Sequence, residues 1–119
     1  MRLTLDDLVA EIRDNFKAIL ADHAKGGSTC SWTVTQPEGV VLTISALNLV
    51  AEPPVPVGVT VRLDAAAQNI EAEYFGFNHQ RLSFPIPRLA NGVYDLSDDS
   101  PLFQICQRIF EPLSRVRCH

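Results

Sequence analysis

The sequence has few of the features that identify an enzyme or a membrane protein. No stretch approaches the roughly 20 consecutive apolar residues that a membrane-spanning helix needs. The GxSxG, HExxH and GxGxxG motifs are absent, as are a phosphate-binding glycine loop and CxxC pairs. These absences remove the common enzyme classes. We therefore expect a non-catalytic domain with no cofactor and no metal ion.

Cysteine is scarce, and its spacing suggests no pairing. The three cysteines are Cys30, Cys106 and Cys118, and no two of them have the spacing of a metal site or a redox motif. The N-terminal residues lack the apolar run of a signal peptide. We therefore expect free thiols in a reducing cytoplasm, with Cys30 and Cys106 in the core and Cys118 exposed.

Lysine is also rare, because eight of the ten basic residues are arginine. The formal net charge is −4 and the sequence pI is about 5.2. Binding to a nucleic-acid backbone needs a basic surface, so we do not expect direct nucleic-acid binding. An acidic balance is compatible with a basic protein partner.

Length and composition predict one globular domain spanning residues 1–119. A chain of 119 residues is too short for two ordinary domains. Hydrophobic residues make up 46% of the chain and charged residues 20%, which is typical of a chain that forms a hydrophobic core.

Apolar residues at helical spacing predict an amphipathic N-terminal helix. Thr4 can cap its start, and Gly26-Gly27 can end it. Acidic residues lie in its first half and Lys17 and Lys25 lie later, an order that complements the helix dipole. The apolar stripe consists of Leu5, Leu8, Val9, Ile12, Phe16, Ile19 and Leu20.

After Thr29 the hydrophobic period changes to two, which predicts β-strands. The alternating segments are residues 30–35, 40–47, 57–64 and 69–77. Prolines restrict residues 82–86 to an edge strand or a non-strand, and residues 93–96 are a candidate for a last short strand. The proline-rich residues 51–56 are predicted to lie outside the sheet. Short links between the strands favour antiparallel pairing.

A second amphipathic helix is predicted to start at Ser100-Pro101, where serine caps and proline takes the first helical position. Because Pro112 lacks an N–H, we predict that this helix ends near Phe110 and is followed by a kinked turn. The predicted fold class is α+β, with a mostly antiparallel sheet of four to six strands flanked by an N-terminal and a C-terminal amphipathic helix. Two helices can cover one face of the sheet and leave the other partly polar and open.

The candidate binding residues lie in the fourth predicted strand and in the turn after it. Phe75 and Phe77 form a contact patch if they share the outer face, since aromatic residues are common anchors of interfaces. The other interpretation is a central strand that is covered on both faces. Tyr74, His79 and Arg81 complete the candidate set.

His79 and Cys30 are the residues with chemistry to weigh. A histidine near the carboxylates of Glu71 and Glu73 has the components of a general base or a metal ligand, but no second histidine stands at ligand spacing. We interpret His79 as a solvated turn residue. Cys30 would be a nucleophile only if the fold brought His79 to it, and its place in an alternating strand indicates the core instead.

Three function classes follow. The first is a non-catalytic protein-binding module that acts as a small inhibitor, adaptor or chaperone, such as a phage anti-defence or immunity-type protein. The second is a small ligand-binding or enzymatic domain with a pocket between helix and sheet, lined by Trp32, Tyr74 and His79. The third is a structural subunit of a phage or secretion assembly. For the first class we expect another protein as partner, or a second copy of the chain in a homodimer, and no membrane.

The predicted order of helix, sheet and helix is similar to that of the small acidic secretion chaperones. That resemblance implies a dimeric protein that binds another protein. The family usually has a further helix between its strands, and the sequence predicts none at that place. The resemblance is therefore one of architecture, and no motif carries it.

Overall fold

The helices and strands follow one another in the predicted order. The computed structural model describes residues 5–27, 29–64, 68–77, 79–86 and 101–118. Within these residues two helices enclose a run of five strands along the chain. The elements are α1 (Leu5–Lys25), β1 (Thr33–Thr35), β2 (Leu42–Asn48), β3 (Val55–Leu63), β4 (Asn69–Phe75), β5 (Arg81–Pro85) and α2 (Pro101–Ser114).

The five strands form an antiparallel meander in the order β1-β2-β3-β4-β5. Neighbours in sequence are neighbours in the sheet, as hairpin-length links require. β5 is an outer strand of this order, which suits Pro85. The predicted α+β fold is therefore confirmed. In the sequence, one helix precedes the sheet and the other follows it. The predicted strand at residues 93–96 and the predicted cap at Ser100 lie outside the described residues.

Both helices pack on the same face of the sheet. Their apolar stripes and the buried residues of the central strands belong to one core cluster. Along β3 the buried side chains are Val57, Val59 and Val61, so every second residue points toward the helices. The core residues of α1 are Leu8, Ile12, Phe16 and Ile19, and those of α2 are Leu102, Ile105, Cys106, Ile109, Phe110 and Leu113.

No described element covers the opposite face of the sheet. Hydroxyl and charged side chains occupy it, and Thr43 and Thr60 lie opposite each other with their hydroxyl oxygens 3.5 Å apart. Cross-strand pairing places Arg62 opposite Glu71 and Glu73 opposite Arg81. The predicted polar, open face is therefore present in the described part of the chain. None of the described helices is both long and apolar enough to cross a membrane.

Three predicted boundaries are corrected. β1 contains only Thr33–Thr35, so Cys30 and Trp32 precede it, and β4 ends at Phe75. β3 begins at Val55 and includes Pro56, which pairs with Leu47. The carbonyl oxygen of Pro56 lies toward Gly76, beyond the end of β4. The N and C=O of one residue face the same side of a strand, so the N of Pro56 also points away from β2, toward the region where β4 has ended. The missing N–H of Pro56 therefore removes no hydrogen bond of the sheet.

The prediction that α2 ends near Phe110 is also wrong, because the helix continues through Pro112 to Ser114. Leu113 is fully buried in the core, so the last turn adds apolar burial that offsets the hydrogen bond lost at proline. The Ser114 hydroxyl donates to the Glu111 carbonyl at 2.5 Å and further ties this turn.

Candidate functional site

The structure separates the candidate residues of β4 by face. Tyr74 is 1% exposed, and its hydroxyl donates a hydrogen bond to the carbonyl of Ile109 in α2. Burial, with a smaller contribution from the negative charge of Glu111, raises the pKa of the Tyr74 phenol far above its ordinary value. Tyr74 is therefore a neutral core residue that joins the sheet to α2.

Phe75 and Phe77 do not form one patch. Phe75 lies on the open face, with its ring above Gly58 of the neighbouring strand. Gly76 has a φ of 88°, which breaks the strand alternation. The ring of Phe77 then packs edge-on against Tyr74 at 6.0 Å, on the side of the sheet that α2 covers.

His79 and Arg81 are exposed, and Arg81 lies in the charged part of the open face. The Arg81 guanidinium lies 3.3 Å from one carboxylate oxygen of Glu73, and Arg62 lies 3.5 Å from the other. Solvent-exposed pairs of this kind contribute little stability. Among the described residues no group of three or more His, Cys, Asp or Glu side chains could hold a metal ion.

The three residues that would line an enzymatic pocket, Trp32, Tyr74 and His79, lie in different surroundings from one another. Trp32 packs edge-on against Phe110 at 6.0 Å, Tyr74 is in the core, and His79 is exposed. The His23 ring also packs edge-on against Phe110, with the ring centroids 5.1 Å apart. The described residues do not bring Trp32, Tyr74 and His79 to a common contact.

The expectation of free thiols is wrong for two of the three cysteines. Cys30 and Cys118 form a disulfide across 88 residues of sequence. Cys118 is 2% exposed, contrary to its predicted exposure, and Cys30 is not a free nucleophile in this state. Cys106 is a free, buried thiol, and burial raises its pKa to about 12. Cys106 therefore remains protonated and unreactive at neutral pH.

A groove lies next to this disulfide, at the end of β2. Its volume is about 470 Å³. We call it the β2-end groove. Its lining combines apolar side chains with hydroxyl groups and contains no charged side chain. The lining residues are Thr29, Ser31, Thr33, Ser45, Ala46, Leu47, Leu49, Pro56 and Cys118.

Exposed apolar side chains stand at the rim of the β2-end groove. Leu47, Leu49 and Val50 are 53%, 56% and 63% exposed. Most exposed apolar residues occur singly, whereas these three lie within four positions of one another. The alternation over residues 40–47 puts Leu47 on the same face as Thr43 and Ser45, but it does not mark Leu49 or Val50. The available signal was the Leu-Asn-Leu-Val run directly after a strand whose other outward residues are Thr43 and Ser45.

The segment that closes one side of the groove is residues 116–118. The Cys118 N–H donates to the Thr29 hydroxyl oxygen at 3.1 Å, and the Leu49 N–H donates to the Cys118 carbonyl at 2.8 Å. Residues far apart in sequence thus meet at the end of β2, where β1 no longer pairs with it. This arrangement builds an uncharged, amphipathic surface.

Comparison of the chain with protein-family models, with curated proteins and with solved structures finds no match in any of the three.

Proposed function

We propose that the chain is a non-catalytic protein-binding domain that holds its partner in the β2-end groove and on the adjoining rim of Leu47, Leu49 and Val50. In this role it would act as a small inhibitor, adaptor or chaperone. The observation that carries the proposal is the cluster of three exposed apolar side chains beside an uncharged groove. Apolar patches of this kind are typical of protein–protein contact sites.

The lining of the groove indicates the kind of surface that fits it. Hydroxyl groups of Thr29, Ser31, Thr33 and Ser45 can hydrogen-bond to main-chain groups or neutral side chains, while Leu47 and Leu49 contact apolar ones. A charged side chain would lose its hydration there without a counter-charge. The partner is therefore expected to present an apolar side chain flanked by uncharged main chain.

The open sheet face also carries charged side chains, away from the groove. Arg62, Glu73 and Arg81 are solvent-exposed and lie near the other end of β3 and on β4 and β5. Such charges adjust specificity and association rate more than affinity. We expect the apolar rim to supply most of the binding free energy.

Two further predictions belong to this proposal. The net charge of −4 favours a protein over a nucleic acid as partner. The cytoplasmic location stays a prediction. It was drawn together with an expectation of free thiols, whereas the disulfide between Cys30 and Cys118 persists only where the compartment does not reduce it.

Site-directed photocross-linking tests the proposal. The photoreactive residue p-benzoylphenylalanine replaces Leu49 in one variant and Gln107, an exposed residue of α2, in the control. Each variant is expressed in cells of the source organism and irradiated. We expect a protein adduct from position 49 and none from position 107, because only position 49 lies on the proposed surface.

The captured partner then allows a quantitative test by titration calorimetry. Leu49→Asp places an uncompensated charge in the contact, and we expect it to weaken binding by about tenfold or more. Gln107→Asp is the matched control and should leave the dissociation constant unchanged. Equal adducts from both positions, or undiminished affinity of Leu49→Asp, would contradict the proposal.

A further inference from the structure

The wall of the β2-end groove depends on one covalent bond. Cys118 lines the groove, and its main chain makes the hydrogen bonds to Thr29 and Leu49 described above. Residues 116–118 follow the last turn of α2 and belong to no helix or strand. The disulfide to Cys30 is therefore the strongest constraint that holds this segment beside β2.

The disulfide sits in a small apolar cluster that is distinct from the main core. The buried members of this cluster are Cys30, Ala46, Val57 and Cys118, with Val116 partly buried against them. The helix stripes and most of the sheet belong to the larger cluster instead. Trp32 packs against both clusters, but no buried residue belongs to both. We therefore expect a change at the disulfide to act first on the groove.

We infer that the Cys30–Cys118 disulfide is a redox control on the β2-end groove. In the oxidised protein, residues 116–118 complete the groove wall. In the reduced protein, the hydrogen bonds of Cys118 to Thr29 and Leu49, the hydrogen bond from Val116 N–H to Leu113 C=O and a small apolar contact remain. These are too little to offset the conformational entropy of ordering the segment. The segment then leaves β2 and the groove loses its wall. This inference rests on the proposed function for the meaning of the groove.

The chemical step is a thiol–disulfide exchange with a dithiol reductant. One thiolate of the dithiol attacks a protein sulfur and breaks the Cys30–Cys118 bond, which gives a mixed disulfide and one protein thiol. The second thiol of the dithiol then displaces the other protein sulfur. The dithiol becomes a disulfide, and its two electrons and two protons end on Cys30 and Cys118. Because both sulfurs are buried, attack follows a local opening of residues 116–118.

The inference applies to a reducing compartment, where disulfides are usually transient and serve catalysis or redox sensing. The described residues hold no second thiol at the disulfide, since the remaining cysteine, Cys106, belongs to the main core. We therefore assign the bond to sensing and not to disulfide-transfer catalysis.

Nuclear magnetic resonance of the native protein, oxidised and reduced with dithiothreitol, tests this inference. The scalar coupling across the hydrogen bond from Leu49 N–H to Cys118 C=O should be present in the oxidised protein and lost in the reduced one. The amide order parameters of residues 116–118 should fall from about 0.85 to below 0.6. The matched control is the bond from Val41 N–H to Val61 C=O, 2.9 Å long, at the other end of β2. Its coupling should persist in both states.

The Cys30→Ser/Cys118→Ser variant gives the second measurement. It should show the reduced pattern at the outset and should not respond to dithiothreitol. A Leu49 coupling that survives reduction would overturn the inference. Loss of both the Leu49 and the Val41 couplings would overturn it too, because the bond would then maintain the whole fold. Neither readout involves a partner, so failure of the cross-linking experiment and failure of this one are distinguishable.

Discussion

Gly58 occupies a position in β3 where the fold leaves no room for a side chain. A Cβ built there would lie 1.9 Å from the Ile44 carbonyl oxygen and 2.9 Å from Cζ of Phe75. The carbonyl belongs to the adjacent strand, so it cannot retreat without disturbing the pairing of β2 with β3. We predict that Gly58→Ala lowers the free energy of unfolding by about 3 kcal/mol, measured by urea denaturation.

The matched control for this prediction is Gly26→Ala at the end of α1. A Cβ at Gly26 would meet the nearest atom, the His23 carbonyl oxygen, at 3.4 Å, which is ordinary contact. The change in unfolding free energy should stay within about 0.5 kcal/mol. If Gly58→Ala destabilised the protein no more than Gly26→Ala does, that result would contradict the close approach of β2 and Phe75 to Gly58.

The position of Phe77 differs from the one that strand alternation predicts, whereas those of Tyr74 and Phe75 agree with it. Strand alternation correctly assigned Tyr74 and Phe75 to opposite faces, because that assignment needs only the period of two. The same period assigned Phe77 to the face of Phe75. The positive φ of Gly76 redirects the chain, and a Cβ there would also lie 2.2 Å from the Pro56 carbonyl oxygen. That contact joins Gly76, which follows β4, to a residue of β3 that is distant in sequence, so the sequence around Gly76 does not reveal it.

Helix α2 contains a proline where a continuous helix does not favour one. Pro112 leaves the carbonyl of Arg108 without its helical donor, and the helix continues because Leu113 is buried beyond it. We predict that Pro112→Ala raises the free energy of unfolding by about 1–3 kcal/mol, since alanine restores the donor and has the higher helix propensity. Urea denaturation measures the change, and circular dichroism checks that helix content does not fall.

Pro101→Ala is the control at the other end of the same helix. Pro101 is the first residue of α2, where the N–H has no helical acceptor and proline is well tolerated. Its replacement should change the unfolding free energy by less than about 0.5 kcal/mol. If the two substitutions changed the unfolding free energy equally, the position of the proline within the helix would not be the cause of the change.

The elements themselves follow from local patterns, and the candidate site does not. The stripe from Leu8 to Ile19 predicts a helix, and the alternation of Val57, Val59 and Val61 predicts a strand. The β2-end groove combines residues near position 30, near position 47 and near position 117. No local pattern encodes that meeting, because it depends on the register of the sheet and on the path of the chain after α2. Sequence reasoning therefore predicted that one sheet face is open, but it identified neither which face that is nor the groove at the end of β2.

The described residues form one large core and one small cluster that the disulfide anchors. The large core joins both helices to the sheet and accounts for the arrangement of the layers. The small cluster around Cys30 and Cys118 shapes the proposed binding surface. Because the two are separate, the stability of the fold and the state of the groove can respond differently to the same change.

The effect of the disulfide on global stability follows from its span. A bond between residues 88 positions apart restricts the unfolded chain by about 4–5 kcal/mol in the chain-entropy description. We predict that Cys30→Ser/Cys118→Ser loses about 2–5 kcal/mol of unfolding free energy, measured by urea denaturation. A domain whose stability lies well above the lower end of the usual range of about 5–15 kcal/mol remains folded after such a loss. The denaturant slope should rise, since the unfolded chain without the bond is more expanded. Reduced wild-type protein should match the variant, and the variant should not respond to reductant. An unchanged unfolding free energy would show that these two cysteines are not joined in the folded protein.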